Sequence, residues 1–108
     1  MKEIKAIIQP FMLDKVLAAL HAISGIPGCI VSHVEAHGRS PVDATHKAQE
    51  TSEKVKLEVV VSDAQVDSIL KAIQQTAHTG NPGDGKVFVL ECVDALAIRS
   101  GVRGEKAL

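Results

Sequence analysis

Apolar and polar positions switch between a two-residue period and a helical one along the whole chain. Ile4, Ala6 and Ile8 alternate with Glu3, Lys5 and Ile7, which predicts a first strand ending at Gln9-Pro10. Leu13, Val16, Leu17, Leu20 and Ile23 then recur at helical spacing, and Asp14 in the first turn complements the helix dipole. Ser24-Gly25-Ile26-Pro27-Gly28 stops that helix. Cys29 to His37 predicts a second strand, with Ile30, Ser32, Val34 and Ala36 on one face and Val31, His33, Glu35 and His37 on the other. From Gly38 to Glu53 the apolar period vanishes, predicting a loop of roughly sixteen residues, long enough to be functional. Strand character resumes at Val55, Leu57, Val59 and Val61. Ser62-Asp63-Ala64-Gln65 has the capping-box pattern, and it opens a second helix with Val66, Ile69, Leu70 and Ile73 as its buried stripe. A glycine-rich loop precedes a fourth strand running from Lys86 to about Cys92, and the tail after Ile98 is basic and not clearly helical.

The order β-α-β-β-α-β predicts an α+β, ferredoxin-like sandwich, one domain over residues 1–108. Two helices would cover one face of a four-stranded antiparallel sheet. The other face, expected to be β-branched on the third strand, needs cover that a dimer or trimer would supply. Composition points the same way. The chain is 45% hydrophobic, but Phe11 and Phe88 are its only aromatic residues, so a small aliphatic core gains from oligomerisation. A net charge of −1 and the lack of stacking aromatics argue against nucleic acid as a partner. No apolar run approaches the roughly 18 residues of a membrane span, so membrane contact is expected only through a partner. The N-terminus lacks a signal-peptide shape. Cys29 and Cys92 have no C-x-x-C spacing and read as small strand hydrophobes in a reducing cytoplasm.

The candidate chemistry lies in Thr79-Gly80-Asn81-Pro82-Gly83-Asp84-Gly85-Lys86. Its glycines allow positive φ and a close backbone approach, its N–H groups can converge on an anion, and Lys86 adds a point charge suited to phosphate. The spacing nearly fits G-x-x-x-x-G-K-[ST]. However, Val87 replaces the metal-binding hydroxyl, and a strand follows where a P-loop has a helix. Such a loop suits nucleotide sensing better than turnover.

These residues carry a resemblance to the PII signal-transduction family. The opening Met1 to Phe11, the stretch Gly25 to Val31, Gly38-Arg39, Lys54 to Val61 and Ile98-Arg99-Ser100-Gly101 are similar to its segments. Most specific is Thr79-Gly80-x-x-Gly83-Asp84-Gly85-Lys86-Val87-Phe88-Val89, which resembles the family's B-loop. The resemblance implies a cytoplasmic homotrimer, not an enzyme, that binds adenine nucleotides in clefts between subunits. It further implies a T-loop at about 38–53, a B-loop at 79–86 and a C-terminal loop at 98–108. Carried over by position, Gly83, Asp84, Gly85 and Lys86 would wrap the phosphates. Gly38 would stand beside Arg39, and Arg39 and Arg99 would contact phosphate, with Arg103 a further candidate. Gly28 and Ile30 would line the adenine side. The T-loop would report the ligand state to an unidentified protein partner, a transporter or an enzyme.

Departures from the family pattern reshape that expectation. Signalling members carry a modifiable tyrosine in the T-loop, and this chain has none, which excludes uridylylation by that route. The glutamine expected after the arginine, a ligand for magnesium and 2-oxoglutarate, is Ser40. The first-strand lysine is Gln9, and the first of two C-loop arginines is Ala97. Weaker magnesium and phosphate contacts imply ADP or AMP favoured over ATP, with ATP as a third candidate. Arg39 and Ser40 form a candidate site for a small anion such as bicarbonate, since a guanidinium fork suits planar anions. Inorganic-carbon signalling linked to carboxysomes or bicarbonate transport is therefore the leading expectation. Regulation of nitrogen metabolism or of a transporter or heavy-metal efflux system is the alternative.

His33, Glu35 and His37 alternate on one strand face, with His46 in the loop beyond. Strand residues two apart stand ~7 Å from each other, too far for two to grip one zinc ion at ~2 Å per bond. No metal site is expected. An acyl-phosphate hydrolase on the same fold would need a positioned nucleophile or water-orienting pair, for which only Asn81 stands near the loop.

Overall fold

The computed structural model describes residues 1–38 and 50–108, with Glu50 described by its backbone alone. In chain order the elements are β1 (Lys2–Ile8), α1 (Leu13–His21), β2 (Ile30–Gly38), β3 (Glu50–Val61), α2 (Val66–Ala77) and β4 (Gly85–Glu91). One 3-10 turn leads into each helix, at Pro10–Met12 and Asp63–Gln65. The sheet order is β2-β3-β1-β4 and every pairing is antiparallel. With two helices on one face, this is the α+β ferredoxin-like arrangement. Among the described residues, no helix is long and apolar enough to cross a membrane.

Register explains the core. Ile4 stands between Val59 and Val89, and Ala6 between Leu57 and Val87, so one face of the central strands is continuously aliphatic. Val16 and Leu20 of α1 and Ile69, Ile73 and Ala77 of α2 close over that face. Each of the larger side chains contributes about 1.5–3 kcal/mol on full burial. The entry to α2 is braced as its sequence predicts. The Ser62 N–H and hydroxyl both donate to Gln65 Oε1, at 3.3 and 3.1 Å. Gln65 Nε2 in turn donates to the Ser24 carbonyl at 3.3 Å, tying this corner to the exit of α1.

Two expectations are corrected. The face opposite the helices is not β-branched on β3: Val55, Val59 and Val61 turn inward, leaving Lys54, Lys56, Glu58 and Val60 on the open side. Lys56 and Glu58 form an ion pair there at 3.4 Å. The open face draws its apolar surface from the edge strands instead, through Ile30, Phe88 and Leu90. Strand β3 also begins at Glu50 rather than Val55, since Glu50 to Glu53 pair with Gly38 to Glu35. Backbone pairing needs no apolar side chain, and this arm extends beyond the helices, so hydrophobic periodicity does not mark it. Of the loop expected over 38–53, Gly38 and Glu50 to Glu53 are strand, and 39–49 lie outside the described residues.

Candidate functional site

The glycine loop closes the turn between α2 and β4. Asp84 organises it: its carboxylate accepts the Thr79 N–H at 2.8 Å, the Gly80 N–H at 3.0 Å and the Thr79 hydroxyl. The Thr79 hydroxyl also accepts the Asn81 N–H at 3.1 Å. Hydrogen bonds from Thr79, foremost its hydroxyl, hold the Asp84 carboxyl below the usual aspartate range. His78 Nδ1 lies 3.7 Å from the same carboxylate. Asp84 is thus spent on the loop's own backbone.

Gly85 is obligatory for a physical reason. Its φ is +107°, and a Cβ here would collide with the Ile7 carbonyl oxygen of the paired strand. Gly83, at φ +94°, places its own carbonyl against a lysine that sequence reasoning overlooked. Lys54 is only 9% exposed, and its Nζ donates to the Gly83 oxygen at 2.6 Å. Alternation along β3 puts Lys54 on the non-core face with Lys56, but it carries no signal of the contact with Gly83.

The loop, Lys54 and the end of β2 enclose an open groove of about 780 Å³. Gly38, Gly83, Asp84, Gly85 and Lys86 line it together with Ile7, Lys54, Asn81 and Phe88. Five of the expected binding residues therefore converge. Two ammonium groups beside a turn of glycine amides make an environment suited to a phosphorylated ligand.

The other expected residues lie elsewhere. Gly28 precedes β2, and Ile30 starts that strand opposite Glu58, exposed on the open face. Eight residues of strand separate Ile30 from Gly38, about 26 Å. Arg99 sits in a turn of the C-terminal segment, where Ala97 donates to Val102 at 2.9 Å and Gly101 to Ala97 at 2.8 Å. Arg103 pairs with Asp94, its Nε donating at 2.8 Å and its Nη2 converging on the same oxygen. Arg39 and Ser40, and with them the small-anion candidate and His46, lie outside the described residues.

Among the described residues, no group of three or more His, Cys, Asp or Glu side chains is placed to hold a metal ion. His33, Glu35 and His37 are exposed on the polar arm, where His37 Nδ1 lies 3.4 Å from the Thr51 hydroxyl.

Fold and groove together define a βαββαβ domain with a glycine-rich loop at one sheet end. The chain matches the family described as nitrogen regulatory protein P-II over residues 1–102. It is 43% identical to the nitrogen regulatory protein P-II of Rhodospirillum rubrum, with all of both chains covered. It is 42% identical to that of Azospirillum brasilense and 39% identical to the nitrogen regulatory protein GlnK of Escherichia coli, again over the full length of both. The chain belongs to the P-II family, whose members are regulatory signal transducers rather than enzymes. P-II proteins are trimeric and work by binding nucleotides and partner proteins.

Proposed function

We propose that this chain is a trimeric P-II signalling protein that binds adenine nucleotides between subunits, with ADP or AMP favoured over ATP. The observation that carries this reading is the groove where Gly83 to Lys86, Lys54 and Gly38 meet. Glycine amides and two lysines can accept a diphosphate there, while Ile7 and Phe88 offer an apolar wall. The separation along β2 supports a shared site. One nucleotide cannot touch both Gly38 and the Gly28-Ile30 end of the same chain, so the adenine side and Arg99 would come from a neighbour. Segment 39–49 would carry the message to a protein partner.

The names of the relatives make nitrogen metabolism the first candidate for the regulated pathway. Inorganic-carbon sensing rests on Arg39 and Ser40 alone, and bicarbonate is taken here as a test ligand. Calorimetric titration with ADP, AMP and ATP plus magnesium tests the central reading. ADP should bind, and Lys86→Gln should weaken it about tenfold through loss of one charge-assisted contact. Failure of all three nucleotides to bind would refute the nucleotide site. Much tighter binding of ATP with magnesium would refute the ADP preference alone. Repeating the ATP titration with 2-oxoglutarate or bicarbonate present separates the two pathways by which effector tightens it.

A further inference from the structure

The C-terminal segment has no apolar anchor of its own. Val93 and Ile98 are almost wholly exposed and Leu96 largely so, yet residues 94–104 form a defined hairpin. Its backbone bonds run from Gly104 to Ala95 at 2.9 Å and from Ala97 to Val102 at 2.9 Å, with an isolated bridge between Leu96 and Arg103. The base of this hairpin is gathered by one carboxylate. Asp94 Oδ1 accepts the Ala95 N–H at 2.8 Å and the Gly104 N–H at 3.2 Å. Asp94 Oδ2 takes the Arg103 guanidinium through Nε and Nη2. One side chain thus joins both legs, and the guanidinium on the second leg is committed to it.

We infer that Asp94 and Arg103 form a clasp that presets the hairpin carrying Arg99, making both positioning residues for phosphate recognition rather than phosphate ligands. This rests on the proposed nucleotide site, with Arg99 reaching a neighbour's phosphates. It reassigns Arg103, expected from the sequence to be a phosphate contact itself. A preset guanidinium loses less freedom on binding, so affinity gains without a new contact. Ala97 sharpens the need, because only one arginine remains at the turn to be held.

Asp94→Asn separates the arms of the clasp. The amide oxygen still accepts from Ala95 and Gly104, while the new NH2 faces the donors of Arg103. In nucleotide-free protein, hydrogen exchange at the Gly101 and Gly104 amides should then speed up about tenfold, the equivalent of one lost charge-assisted bond. ADP affinity should fall at least threefold in the otherwise native chain. On an Arg99→Ala background Asp94→Asn should change affinity by less than about 1.5-fold, because its effect passes through Arg99. Unchanged exchange in Asp94→Asn overturns the clasp, and an undiminished loss on the Arg99→Ala background overturns the positioning role. A native chain that ignores ADP refutes the nucleotide reading instead, and the exchange experiment still decides the clasp.

Discussion

Two loops of this protein are each organised by an aspartate that accepts two backbone N–H groups, yet they are held in opposite ways. Asp84 gathers Thr79 and Gly80 in a loop also pressed onto β1 at Gly85 and pinned by the nearly buried Lys54 at Gly83. Asp94 gathers Ala95 and Gly104 in a hairpin that leaves Val93 and Ile98 bare. The first loop inherits its shape from the core. The second makes its own shape from polar contacts and presents apolar side chains outward. In the proposed trimer, the first loop would be a rigid cradle for phosphate, and the second an arm shaped by its own clasp before it reaches a neighbouring subunit.

Substituting one glycine in each loop should expose this difference most strongly. Gly85→Ala drives a Cβ into the Ile7 carbonyl, backbone against backbone, with no flexible side chain to yield. A loss of about 3 kcal/mol or more is expected, lowering Tm by about 15 °C in thermal unfolding. Gly101→Ala also sits at positive φ, +74°, but nothing lies within 4 Å of the new methyl. Only backbone strain remains, about 1–2 kcal/mol, and it can relax locally in the hairpin. Equal shifts for the two variants would show that the glycine loop is not moulded by β1.

The same contrast governs what could be read from the sequence. Elements with one buried face were legible: the stripe of α2 and the alternation of β1 gave residue type, period and facing together. The glycine loop was legible because each glycine and Lys86 answers a local demand of the turn. Lys54 was missed because its role depends on a tertiary meeting with Gly83, twenty-nine residues on in the chain, that no local period records. The start of β3 was missed since backbone pairing carries Glu50 to Glu53 without any burial to mark it. The pairing of Asp94 with Arg103 was likewise invisible, as a charge at nine residues' separation signals nothing until a hairpin closes it.

Lys54→Met is the next largest test. It keeps most of the stem's packing but removes the donor to the Gly83 carbonyl. Stability should fall by about 1 kcal/mol, the usual net value of such a bond. If the proposed nucleotide site is correct, ADP affinity should fall about tenfold as well, since one of two nearby cations is gone. Thermal unfolding and calorimetry on the same variant decide the point, and intact ADP binding would remove Lys54 from the phosphate environment.

The smallest expected effect distinguishes the causes of two similar titrations. Both aspartates are held below the ordinary value of 3.8, Asp94 first by the Arg103 guanidinium and Asp84 first by the Thr79 hydroxyl. With depressed folded values, each contributes stability that is fully present above the unfolded value and is lost as pH falls through the folded one. Both losses therefore fall in acid, below pH 3.8. Salt should part them. A guanidinium charge facing water is screened as ionic strength rises from about 0.01 to 1 M, while neutral hydroxyl and amide donors are not. Carboxyl carbon shifts followed by NMR should show the Asp94 midpoint climbing toward 3.8 in high salt more than the Asp84 midpoint, for which the charge of His78 is the smallest of the causes. If both midpoints moved alike, the glycine loop would owe its order to exposed charge, and the distinction between a core-moulded cradle and a self-clasped arm would fail.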